Sequence, residues 1–274
     1  MSQLQKYLSG FLIMILLSSN AMAQKDNHFL FEKNIPGKFN AIFVDALENI
    51  YVITPDFQLK KMNSDGAILS TFNDVKKYGT PSFIDVSNPL KNLIYYKSYG
   101  IIVTLDKLLT FRNSINLRSK QLFNVATVAT SYDNNIWLFD GAALKIKKLD
   151  DMGNTIAEGQ ELTFFGENIP EHVDMLANEK QVLLYDEHKG FYCFDWNGTF
   201  KDNIIPFLNW KSVGLNEKTV YGFSGNKLLL YEWQSLNLKE FELPEGLSDN
   251  HKMKVVNRKL YVLTEDGVSI YSIN

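Results

Sequence analysis

One cysteine in 274 residues, Cys193, leaves no partner for an internal disulfide and too few thiolates for a metal cluster. It sits in Gly190-Phe-Tyr-Cys-Phe-Asp195, a strongly β-forming run, where a thiol is expected to pack as a small, inert hydrophobe. Histidine is nearly as scarce. His28, His172, His188 and His251 include no i, i+4 pair, so the helical zinc motif is missing. Basic residues give no excess: 28 Lys and Arg stand against 31 Asp and Glu, a net charge of −3 without the basic face that nucleic acid demands. Gly222-Phe-Ser-Gly225 has one residue too few for the G-x-S-x-G nucleophile elbow, and no strand-to-helix context; it reads as a hairpin turn. Amphipathic helical patterning is almost absent, and only Glu171–Lys180 is expected to form a helical turn or two.

Long apolar runs are missing beyond the first 23 residues, and those are expected to be a signal peptide. Lys6 supplies the positive start, Leu8–Leu17 the apolar stretch and Ala21-Met22-Ala23 a small-x-small cleavage site. The apolar stretch falls short of the ~20 residues that cross a bilayer, and no cysteine follows the junction to carry a lipid. The remainder, residues 24–274, is expected to be exported, without a membrane span and monomeric on its own. In a Gram-negative source it would reside in the periplasm, with the extracellular space as the alternative. Losing one lysine and no acid takes its net charge from −3 to −4.

What the chain has is a repeat. Short β runs centred on Tyr51, Ile94, Trp137, Leu183, Tyr221 and Tyr261 recur at spacings of 43, 43, 46, 38 and 40 residues. A period of ~40 to 50 residues in a chain of strands is the pattern of propeller blades, and 251 residues hold six copies of a period near 42. Blade 1 divides into Phe39–Asp45, Asn49–Thr54, Phe57–Met62 and Ala67–Phe72, and blade 3 into Val125–Thr130, Asn135–Phe139, Leu144–Leu149 and Thr155–Thr163. Turn chemistry separates them, as in Asn63-Ser-Asp-Gly66 and Asp150-Asp-Met-Gly153. Gly100, Gly141, Gly190, Gly225 and Gly267 follow the second strands and are expected to supply positive φ. The last blade has only three strands, Met253–Val256, Lys259–Thr264 and Val268–Ile273, and His28–Glu32 is expected to close it as the outer strand. The predicted fold is all-β: one six-bladed propeller of four-stranded antiparallel blades, closed by the N-terminal strand.

Ala41-Ile-Phe-Val-Asp45 followed by Glu48-Asn-Ile-Tyr-Val-Ile-Thr54 resembles a repeat of the NHL-type six-bladed propellers, and Asn134-Asn-Ile-Trp-Leu-Phe-Asp140 is similar to the same core. The resemblance is good in two blades and reduces to a pattern in four. It implies the blade skeleton and a binding platform, while some six-bladed relatives are lactonases with a metal in the central channel.

A channel metal would need acids converging from several inner strands. Asp45, Asp85 and Asp174 are the candidates, but Asp45 stands where the repeat closes its own first turn and blade 5 offers Gly214. No catalytic residue, metal or cofactor is therefore expected. Lys145, Lys147 and Lys148, followed by Asp150 and Asp151, read as the polar face of a strand, and Asn197-Gly198-Thr199 reads as a turn although it fits a glycosylation sequon. Most aromatics, among them Tyr51, Trp137, Tyr221 and Tyr261, fall where blade packs on blade. Tyr78, Tyr99, Phe165 and Trp210 fall in or beside connections that emerge on one face, and large aromatics there are the candidate anchors for a partner, the alternative being that half of them plug the blade junctions. The expected function is a non-enzymatic interaction module, an accessory subunit of a cell-envelope or outer-membrane assembly or secretion complex with a protein partner. The alternative is a lactonase-like hydrolase or glycan-binding propeller with its site at the channel mouth.

Overall fold

The computed structural model describes residues 28–166, 169–171, 173–216 and 218–274, without the side chains of 202 and 203. The signal-peptide segment and His172 lie outside the described residues. Six four-stranded antiparallel sheets follow one another around a ring. Their inner strands are Ala41–Val44, Phe83–Asn88, Val125–Thr130, Val173–Ala177, Lys211–Leu215 and Met253–Val256. Neighbouring inner strands approach each other in turn, and that of blade 6 meets that of blade 1, which closes the ring around a central channel. All six marker runs form the second strand of their blade.

Blade 6 takes its outer strand from the start of the fold: Phe29–Pro36 pairs antiparallel with Gly267–Ile273. This strand does more than cover an edge. Phe29 enters the core between blades 5 and 6, and Ile35 that between blades 6 and 1. Burial of apolar area is the main favourable term in folding, and here it is concentrated between blades. Among the described residues, six apolar clusters each join one pair of neighbouring blades. Tyrosines latch these junctions. The Tyr95 hydroxyl donates to Val125 O of blade 3 at 2.9 Å, and the Tyr221 hydroxyl accepts from Val255 N of blade 6 at 3.2 Å.

In such a meander the first-to-second and third-to-fourth hairpins share one face, called lower here. The second-to-third hairpins and the connections between blades share the upper face. Lower-face turns follow one chemical plan. Asn63, Asp106, Asp150 and Asp195 each accept two backbone N–H groups, two and four residues ahead, at 2.8–3.0 Å. In three of these turns the residue before the second N–H is a glycine at positive φ; in blade 2 Leu109 takes that conformation, at φ 59.

Four expectations are corrected. Glu171–Lys180 contains no helix among its described residues; Val173–Ala177 is the inner strand of blade 4, because pairing with Gln181–Asp186 satisfies its backbone and buries Met175. The strand expected to run to Thr163 stops at Glu158, where Gly159 N turns to Ile146 O, and Leu162–Phe165 form a 3-10 turn. The connection Asn73–Pro81 holds one short helix, Val75–Tyr78. Gly100, Gly190, Gly225 and Gly267 have positive φ, but Gly141 does not: its N–H bonds Asn124 O at 2.7 Å.

Candidate functional site

The connections between blades do two jobs, and the four candidate anchors divide between them. Each connection drops apolar side chains into the junction it crosses. Tyr78 is buried between blades 1 and 2 against the Tyr96 ring, and Trp210 between blades 4 and 5, stacked on Phe207. Trp210 N donates to the Tyr185 hydroxyl at 2.7 Å, and a side chain on Gly222 would collide with the indole. Phe165 is half-buried against Phe200 in the junction of blades 3 and 4. Tyr99 alone of the four is open, at 52% exposure. The four are therefore not one patch: Tyr78 and Trp210 are sealed in the core as junction plugs, the alternative to their role as anchors.

Sequence reasoning missed two residues that are more open than any of these. Phe123, at 73% exposure, lies in the connection from blade 2 to blade 3, and Phe164, at 80%, in that from blade 3 to blade 4. The available signal was pairing: in Leu122-Phe123 and Phe164-Phe165 only one of two adjacent apolar residues can point into the junction. With Tyr99 they place three exposed aromatics on the upper face of consecutive blades.

Near the axis, the upper face opens into a cavity of about 390 Å³. Phe43, Phe57 and Phe83 give it apolar walls, and Lys252 and Lys254, from the start of blade 6, line its other side. Lys252 Nζ donates to Asn40 O at 2.6 Å, and Lys254 Nζ makes a long 3.5 Å contact with Val213 O. Loss of hydration holds the Lys254 ammonium below the ordinary lysine range, with Asp174 and Asp85 opposing that shift. Neither lysine has a carboxylate within ion-pair distance among the described residues, whereas the buried Lys61, Lys91 and Lys148 pair with Asp45, Asp151 and Asp133 at 3.9, 2.6 and 2.6 Å.

The channel acids are differently occupied. Asp45 is fully buried and accepts from the Leu47 and Asn49 backbones, the Asn49 amide and the Tyr51 hydroxyl at 2.8–3.0 Å. Asp85 accepts from Ser87 N and, across the junction, from Thr130 N at 2.6 Å. Asp174 faces the channel, and burial raises its carboxyl above the usual range, countered by Lys254. At Gly214 any side chain would overlap the Tyr221 ring, so that position is shaped by packing. Among the described residues no three acidic, histidine or cysteine side chains are grouped to hold a metal. Cys193 is buried, and burial pushes its thiol up to about 12. The Lys145, Lys147 and Lys148 ammonium groups pair with Glu158, Asp140 and Asp133 respectively.

No family model matches the sequence, and no curated protein aligns with it. Solved structures match in fold. A streptogramin B lyase superposes with a TM-score of 0.57 at 13% identity, covering 85% of this chain and 78% of its own. Virginiamycin B lyase from Staphylococcus aureus gives 0.55 at 14% identity, over 90% and 89%. The extracellular domain of a putative hybrid two component system from B. thetaiotaomicron gives 0.51 at 11%, covering 85% of this chain and 34% of that one. At such identities the likeness concerns fold alone, and what these structures share with this chain is the β-propeller, six-bladed here, as the NHL-type repeats imply.

Proposed function

We propose that this protein is an exported, non-enzymatic propeller whose upper face binds a protein partner, as an accessory subunit of a cell-envelope or outer-membrane complex. In a Gram-negative host it would work in the periplasm. The observation that carries this reading is the row of exposed aromatics: Tyr99 on the second-to-third hairpin of blade 2, and Phe123 and Phe164 on connections whose neighbours Leu122 and Phe165 pack into the junction cores. Large aromatics bury much area on binding for few rotatable bonds, and truncating such an anchor typically costs ~2 kcal/mol or more of binding. No helix among the described residues is long and apolar enough to cross a membrane.

The test is affinity capture from a detergent-solubilised envelope of the source organism, comparing the native protein with a Tyr99→Ser, Phe123→Ser, Phe164→Ser variant. The native protein should retain a defined partner that the variant loses at least tenfold, with melting unchanged. Equal capture would move the partner elsewhere, the lower face included, where the hairpin tips Leu47, Leu90, Leu108 and Met152 are exposed. A second reading, a hydrolase or glycan-binding propeller, is favoured by one observation: Asp174 and Lys254, both perturbed by burial, face the same channel. Turnover of a lactone or glycan abolished by Asp174→Asn would establish it.

A further inference from the structure

We propose that the channel-mouth cavity is a binding site for a carboxylate carried on an apolar body. This goes beyond the partner reading and does not depend on the rim aromatics. At about 390 Å³ the cavity lies in the size range of small-ligand sites. Its lining has two chemistries. Phe43, Phe57 and Phe83 offer apolar contact, and Lys252 and Lys254 offer positive charge. Each ammonium has three donors, of which the described residues engage one apiece, that of Lys254 only at 3.5 Å. Among the described residues the buried Lys61, Lys91 and Lys148 are each matched to a carboxylate, whereas the half-buried Lys254 and the exposed Lys252 at the cavity's edge have none in ion-pair range, and two unmatched lysines lining one cavity mark a place prepared for an incoming anion.

The anion's class follows from the surroundings. The cavity lining holds no arginine and no glycine-rich loop, the groups that make phosphate sites through forked or converging N–H donors. Asp174 and Asp85 act on Lys254 from the channel, and their negative field penalises a dianion more than a singly charged group. A carboxylate on Lys252 and Lys254, with its apolar part against the phenylalanines, meets both conditions. Such a group belongs either to a free small molecule or to the C-terminal end of a peptide.

The probes are N-acetylphenylalanine, its uncharged carboxamide and a hexapeptide ending in a free phenylalanine carboxylate. Binding to the purified protein is read by calorimetry and by the ring resonances of Phe57, which lines the cavity and is partly exposed, assigned through Phe57→Leu. The acid should bind at least tenfold more tightly than the amide and shift the Phe57 signals. Lys254→Met and Lys252→Gln should each weaken the acid about tenfold, while the distant Lys147→Gln should not. Tighter binding of the peptide would assign the site to a chain end, and binding of the free acid alone to a small molecule. Because the acid and amide are compared on the native protein, a variant that fails to fold does not spoil the test. Equal affinity for acid and amide, or Phe57 signals that do not move, overturns the proposal, and neither outcome bears on capture of a partner by the rim.

Discussion

At the lower end of the ring, Asn63, Asp106, Asp150 and Asp195 each hold two backbone N–H groups of a hairpin. At the upper end Lys252 and Lys254 stand in a cavity with no carboxylate in ion-pair range among the described residues. The lower-face side chains are spent on the fold, so their sameness from blade to blade reflects a common structural task. The upper connections vary in length and content, and only part of each is needed to seal a junction. Loops on a rigid scaffold are where binding residues concentrate, and here the division is visible residue by residue: Trp210 seals, Phe164 does not.

The comparison rests on the ring being closed, and the largest expected effect comes from opening it. Deleting Lys25–Ile35 removes Phe29 and Ile35 from two junctions and unpairs the edge of Gly267–Ile273. Losses of ~2–5 kcal/mol for each large core side chain, against a total stability of ~5–15 kcal/mol, predict loss of cooperative melting and association through the bare edge. Size-exclusion chromatography and a thermal melt read both; a stable monomer would show that closure lies elsewhere.

Next come single side chains, one from each face. Trp210→Ala should cost ~3–5 kcal/mol as a core truncation, without direct loss of partner binding per folded molecule. Asp45→Ala should cost a similar ~3–5 kcal/mol, because it strands the buried Lys61 and frees the turn donors. Urea titrations measure both. If Trp210→Ala proved harmless to stability, the distinction between sealing and open aromatics would fail.

How much of this was legible beforehand follows the same division. The second strands, the lower turns and the closing strand were readable because period, alternation and Asx-Gly turns are local and repeated. Asp45 was rightly read as a turn closer for that reason. For Tyr78 and Trp210 the sequence leaves anchor and plug open, because it shows that a residue lies in a connection but not which way it faces; that is decided by packing in the junction, against Tyr96 and Phe207. Glu171–Lys180 looked helical because its pairing partner, not its own pattern, determines its strand. The cavity was invisible for the same reason: Phe57, Phe83 and Lys254 meet only when blade 6 reaches blade 1.

Smaller effects sharpen the lower-face account. For Asp133, burial alone would raise the carboxyl, but bonds from Lys148, Ser131 and Asn135 outweigh it and bring the group down to about 2. A depressed acid stabilises the fold fully above its unfolded value and loses that contribution as pH falls through its folded one. Stability should therefore decline between roughly pH 4 and pH 2, and Asp133→Asn should flatten that part of the profile. Asp150→Ala, which frees two exposed N–H groups, should cost ~1 kcal/mol, seen as a small shift in a urea midpoint.

The smallest expected change is the one on which the upper-face reading most depends. Tyr99→Ser, Phe123→Ser and Phe164→Ser each remove a side chain that is at least half exposed and, except for Tyr99 beside Gly79, belongs to no ring contact or core cluster described above. Surface changes of this kind lie within about ±0.5 kcal/mol, and Phe123→Ser and Phe164→Ser should fall at or below zero cost because the folded state holds these rings in water. Urea midpoints for the three single variants and for Trp210→Ala, measured side by side, give the contrast directly. Midpoints near native for the three and a large drop for Trp210→Ala would show that the rim aromatics are free to bind. A loss above ~1 kcal/mol at Phe123 or Phe164, well outside the range for surface substitutions, would mean that the ring packs on its own blade, and a partner could use it only by breaking that packing.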